Sequence, residues 1–308
     1  MKPLFSKEAL EAAKFIDNSL RYDRPYSQRL AKLVLEGEVT EGRNGYTLSL
    51  FDNRIGVVVA NAPALLVSKF TSYKIAKAEM DWMLDGVQNV KDLQDQNIHI
   101  WDKWVLADGT IGKAYGYQWR NFNSQGVDQW ATLKHQIASL DKDAKRRLIM
   151  TAWNPAQLSE MALPPCHMMF QARYRYEASL DIYIVDGIMT QRSADWFLGV
   201  PYNVLGYSYL LHRLAKECTA LSAELGTGAR FMPGKLAINF GDYHIYGLEH
   251  GAAGSHLDAV ETYLKHVVSS EEWARPDFST AIRLDENLDL VKLDGFYAGP
   301  KIQAEVSA

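Results

Sequence analysis

Two strand-length apolar runs, "MMFQARYRY" and "LDIYIVDGIMTQ", follow one another with only a turn near Glu177 to Ser179 between them. Runs of this length, rich in aromatic and β-branched residues, read as β-strands. "GYTLSLFDNRIGVVVA" (45–60) alternates and then runs apolar, as a hairpin feeding a buried strand would. "RLIMTAW" (147–153) reads as a further strand, and "KLAINFGDYHIYGLEH" as strand, then loop, then the start of a helix. Helices are expected over 6–37, 71–85 (with Thr71 or Ser72 as N-cap), 127–140 and 203–225. Strands and helices mix without a βαβ repeat, which favours the α+β class over a doubly wound α/β fold. With 308 residues, 47% of them hydrophobic, the chain can bury a large core. No composition break separates two units, so one domain over 1–308 is expected.

The formal net charge of -4 excludes a broad positive field, and with it a dependence on nucleic acid. A few local arginines still suffice for a small anion. Cys166 and Cys218 stand far apart, without the spacing of a disulfide framework, and reduced thiols in the cytoplasm are expected. The first twenty residues form an amphipathic pattern that lacks the apolar core of a signal peptide. "IGVVVANAPALLV" is too short and interrupted to span a bilayer. The eight histidines show no HxxxH spacing and the cysteines no CxxC, so no metal site is expected.

"LPPCHMMFQ" puts Cys166 behind two prolines and beside His167. A buried cysteine is usually a small hydrophobe. The prolines, however, interrupt ladder bonding and set a defined approach. His167, next in line on a strand, should point to the opposite face. A nucleophilic thiolate needs nearby positive charge. "KRRL" (Arg146, Arg147) and "QRSAD" (Arg192, Ser193, Asp195) can supply it, the second as an arginine–serine turn suited to phosphate; salt-bridged surface arginines are the alternative. In "YKIAKAEMDWMLDG", Lys74, Lys77, Asp81 and Asp85 read as a solvated stripe, whereas Glu79 falls on the apolar face with Ile75 and Met83. A carboxylate there is either a structural cap or a general acid–base group with a raised pKa. Tyr115 in "GKAYGYQWR" is a core residue or a loop tyrosine within a ligand's reach. Trp101 and Trp104 in "IWDKW" pack the core or stack on a flat heterocycle. Asp242, His244 and Tyr246 alternate in "GDYHIY", so His244 and Tyr246 can share one face and bond a sugar hydroxyl.

Taken in order, "RRLIMTAWN", "LPPCH", "QRSADWFLGVPYN" and "GDYHIY" resemble the folate-dependent thymidylate synthase family, from about residue 26 to the C-terminus. The resemblance implies a single α+β domain with a large mixed sheet, packed back to back with a second copy in a homodimer. Residues 1–25 then form an N-terminal helical extension. It implies that Cys166 adds to C6 of dUMP, with 5,10-methylenetetrahydrofolate as co-substrate. Arg192 and Ser193 would hold the phosphate and help activate the thiol. Arg43 in "GRNGYT" would be the flexible-loop phosphate arginine. Arg146 and Arg147 would reach the neighbouring subunit's phosphate. Glu79 would order water for proton transfer near O4, and Tyr115 would stand near the C5 proton. His244 and Tyr246 would hold the 3′ hydroxyl. Trp101, Trp104, Asp195, Gly199, Tyr202 and Ala308 would line or close the folate site. Asn203 would read the base: a neutral amide suits uracil, where cytosine-specific relatives carry aspartate. An asparagine amide can also flip and tolerate either base.

The chain departs from the family pattern in places. "RNGY" replaces "RTGTG", "EMDWML" replaces "ELLWFL", and the terminal "AEVSA" lacks the usual bulky aliphatic. An insertion is read at 176–183. These departures keep open a dUMP (less readily dCMP) hydroxymethylase, in which water rather than hydride completes the reaction. They suit a divergent enzyme, a viral one among the possibilities.

Overall fold

The computed structural model describes residues 22–60, 62–249, 251–269, 282–292 and 299–304. Most of the expected N-terminal extension and Ala308 lie outside these residues. In chain order the elements begin with α1 (Asp23–Glu36), β1 (Glu38–Gly42), β2 (Gly45–Val58), α2 (Tyr73–Leu84) and α3 (Lys91–Gln94). Next come α4 (Gly116–Arg120), α5 (Gln129–Ala138), β3 (Ile149–Thr151), β4 (His167–Glu177) and β5 (Ile182–Asp195). The chain continues through α6 (Gly199–Glu224), β6 (Phe231–Tyr246), α7 (Leu257–Ser269), β7 (Ile282–Leu284) and β8 (Leu290–Lys292).

Six strands form one mixed sheet in the order β1-β2-β6-β5-β4-β3. Every neighbouring pair is antiparallel except β5 and β6, which run parallel. A parallel pair needs a long crossover. Here α6 supplies it, spanning about 39 Å at 1.5 Å per residue. Its inner side buries Val204, Leu205, Tyr207, Leu211 and Leu214. Phe170, Trp119, Trp130, Trp196 and Phe197 complete a core in which large aromatic rings are fully covered. Among the described residues, no helix is long and apolar enough to cross a membrane.

Ser72 is the N-cap of α2, its side chain accepting from the Ile75 amide, as the sequence predicts. The supposed solvated stripe of α2 is a different matter. Asp81 accepts from Tyr209 Oη and from Arg213 Nη1 at 2.6 Å, and Arg213 Nη2 reaches Asp85 at 2.7 Å. Charge periodicity alone could not reveal that α6 brings an arginine to this face. "QRSAD" and "GDYHIY" are also strand rather than turn or loop: β5 runs through Arg192 and Ser193 to Asp195, and β6 through Asp242 and His244 to Tyr246. Gly241 explains the second misreading. A Cβ there would stand 2.8 Å from the Arg192 carbonyl oxygen, so this glycine permits close strand approach rather than a turn.

Candidate active site

The parallel register pairs Ser193 with Asp242 and Asp195 with His244. Two sequence stretches fifty residues apart thus form one wall of a cavity of about 870 Å³. Helix α2 adds Ile75, Glu79 and Met83, the first turn of α6 adds Gly199, Tyr202 and Asn203, and the β1–β2 hairpin adds Arg43 and Asn44. Trp101, Trp104, Tyr115, Cys166, His167 and Ala304 complete the residues that matter here.

Cys166 sits immediately before β4. Its amide donates to Tyr115 Oη at 2.9 Å, and its carbonyl accepts from the Arg192 amide at 2.9 Å. Arg192 donates to the Pro164 and Pro165 carbonyls at 2.8 and 3.0 Å, which brings its guanidinium to 3.9 Å from the sulfur. The carbonyls of the two prolines thus hold the arginine beside the thiol. Burial pushes the Cys166 thiol up from its ordinary range while Arg192 pulls it back. His167 lines the same cavity instead of facing away. The pairing of β4 with β5 shifts between His167 and Met169, and such a bulge re-aims neighbouring side chains. Burial holds the His167 ring neutral, with a pKa near 4.

Tyr115 is the N-cap residue of α4, at φ 33° and ψ -98°. This sparsely populated backbone is sustained by packing: a Cβ on Gly116 would lie 2.4 Å from the Met83 carbonyl oxygen. The contact seats α4 on the end of α2 and delivers the tyrosine hydroxyl to the cysteine. Glu79 accepts from Trp101 Nε1 at 2.9 Å. Burial raises its pKa to about 7, against the opposing effect of that indole donor.

At the far wall, His244 Nδ1 meets Asp242 Oδ1 at 2.5 Å, and the His244 and Tyr246 rings pack 4.9 Å apart. Asp195 accepts from the Phe197 and Leu198 amides at 3.1 and 3.0 Å, so the carboxylate orders the start of α6 as well as facing the cavity. Arg43 occupies the hairpin turn and donates to Asn44 at 3.1 Å. Arg146 and Arg147 are exposed and are not part of the cavity wall. The sequence reading did not single out Gln191, although it directly precedes the arginine that was chosen. A neutral, buried amide carries no charge signal; only its position beside Arg192 could have drawn attention to it.

A family model for thymidylate synthase matches residues 24–308. The chain belongs to the thymidylate synthase family. Thymidylate synthases are methyltransferase-type enzymes that use methylenetetrahydrofolate as co-substrate. The six-stranded mixed sheet is consistent with the thymidylate synthase fold.

Proposed function

We propose that this protein converts dUMP to dTMP with 5,10-methylenetetrahydrofolate. The observation that carries the reading is the convergence of Cys166, Arg192, Glu79, Tyr115 and Asn203 on one cavity. Cys166 would add to C6 of the pyrimidine, and the displaced electron pair would move toward C5 and O4. Arg192, 3.9 Å from the sulfur, favours the thiolate that does this. Arg43, Arg192 and Ser193 would take the phosphate, and His244 and Tyr246 the 3′ hydroxyl. With a pKa of about 7, Glu79 can give and take a proton at neutral pH. Tyr115 stands by the cysteine backbone, and its neutral hydroxyl would relay the C5 proton, taking it up as its own proton passes to water.

The residues present suit a folate. Trp101, Trp104, Leu198 and Tyr202 offer aromatic and aliphatic surface for a flat ring, Gly199 leaves it room, and Asp195 is a buried-edge acceptor for ring N–H groups. When bound, the folate supplies the one-carbon unit and, for methylation, the hydride. These side chains would orient it and exclude water from C5.

A second reading is a dUMP hydroxymethylase. It is kept open by the departure of the phosphate loop, "RNGY", whose Arg43 and Asn44 line the cavity. Exposed Arg146 and Arg147 fit a homodimer in which they reach the phosphate in the partner's cavity. Incubation with dUMP and methylenetetrahydrofolate decides among these readings. A product heavier by one methylene, with dihydrofolate, is expected. A product heavier by formaldehyde, with tetrahydrofolate retained, selects the hydroxymethylase. Unchanged dUMP rules out both.

A further inference from the structure

Three elements meet behind Asn203. β4 brings His167, β5 brings Gln191 opposite it in register, and α6 brings Asn203 itself. Gln191 is only 2% exposed. Its Nε2 donates to the Ser193 carbonyl at 2.9 Å and to Asn203 Oδ1 at 3.0 Å. We infer that Gln191 selects the pyrimidine base by locking the Asn203 amide in one of its two orientations, an inference that rests on the function proposed above.

The lock follows from donor and acceptor inventory. A backbone carbonyl only accepts, so the end of Gln191 facing Ser193 must be its NH2 group. That NH2 has two hydrogens and no lone pair. One hydrogen serves Ser193, and the other must meet an oxygen on Asn203. Turning Gln191 over would set its oxygen against two oxygens. Turning Asn203 over would set two NH2 groups face to face in a buried place. As the pair stands, Gln191 Oε1 is buried without a partner among the described residues; either error adds clashing donors or acceptors to that, which costs roughly tenfold to a hundredfold in population.

So held, and sharing a further hydrogen bond with His167, Asn203 turns Oδ1 as acceptor and Nδ2 as donor toward the cavity. An acceptor beside a donor matches N3–H and O4 of uracil. The reversed amide would present the opposite order, matching N3 and the amino group of cytosine. Asparagine alone could do either; the glutamine behind it removes the choice. Gln191 is thus a positioning residue, acting through Asn203.

The test compares wild type, Gln191→Glu and Gln191→Leu for kcat/KM and equilibrium binding with dUMP and with dCMP. Melting temperature monitors folding. In Gln191→Glu an acceptor faces Asn203 and draws its NH2 round. The dUMP-to-dCMP ratio is expected to fall at least about tenfold, with dCMP binding improved in absolute terms. In Gln191→Leu the amide is released, and the ratio should fall by less. A general structural role would instead lower both substrates alike. If Gln191→Glu does not fold, a lowered ratio in Gln191→Leu sustains the inference. An unchanged ratio in folded variants, with wild type turning over dUMP, overturns the role of Gln191 alone. Wild type that binds neither nucleotide overturns it together with the proposed function.

Discussion

At neutral pH Glu79 keeps its proton about half the time, where most carboxylates have lost theirs. Its pKa of about 7 in the fold compares with 4.5 for an ordinary glutamate. Stability gained from keeping that proton is complete below the lower value and is lost as pH rises through the upper one. Glu79→Gln never ionises. It should therefore match wild type below about pH 4.5 and exceed its stability by about 1–3 kcal/mol above about pH 8, as read from urea midpoints. Equal midpoints at high pH would show that the charged carboxylate is well solvated. Cys166→Ala is expected to lower turnover by roughly 10⁴-fold or more while nucleotide affinity stays within about tenfold. Wild-type turnover in that variant would remove the covalent step. Most of the reacting side chains were legible because their chemistry shows in the residue type: a thiol, arginines, a carboxylate on an apolar face. Gln191 was not, since its work is done by direction of hydrogen bonding, which a sequence does not display.

Helix α2 is the element that ties the cavity to its support. One side offers Glu79 to the site; another engages α6 through Asp81, Arg213 and Tyr209. Asp81→Leu would strand the half-buried Arg213, whose other carboxylate contacts are Asp85 and Glu217. Because the pair is partly open to water, a loss of about 1–3 kcal/mol is expected by denaturant titration, below the value for a fully buried pair. A neutral substitution would mean that those two carboxylates satisfy Arg213 unaided. Gly116→Val should be harsher. Its side chain would strike the Met83 carbonyl, lift α4 from α2 and carry Tyr115 away from Cys166. Both stability and turnover should drop, by about 2–4 kcal/mol and more than tenfold respectively. The capped apolar stripe of α2 was legible from Ser72 and the spacing of Ile75, Glu79 and Met83. The ends of β5 and β6 were not, because their polar and glycine-bearing residues imitate a turn until the parallel pairing is known.

For the whole molecule, the placement of Arg146 and Arg147 away from their own cavity makes a concrete demand. If each serves a second copy, Cys166→Ala and an Arg146→Ala/Arg147→Ala double variant should each be nearly inactive, yet regain about a quarter of wild-type activity after mixed refolding. That fraction follows from half the dimers being hybrid, each with one intact site. Inactivity without recovery would show that those arginines do not serve a second copy, and a fully active double variant would place them outside the reaction. Assembly of this kind was suggested by family resemblance, not by composition, since exposed arginines look alike wherever they serve. The parallel pairing of β5 with β6 has a consequence in time. β6 can find its register on β5 only after the intervening 26-residue helix has spanned the sheet. Distant pairings of this sort close late, since the chain entropy of a long loop is lost before the contacts repay it. The wall formed by Arg192, Asp195 and His244 can therefore form only once that crossover is in place. A nucleotide that grips that wall meets only chains in which the pairing is made, and its presence should slow unfolding more than it speeds refolding.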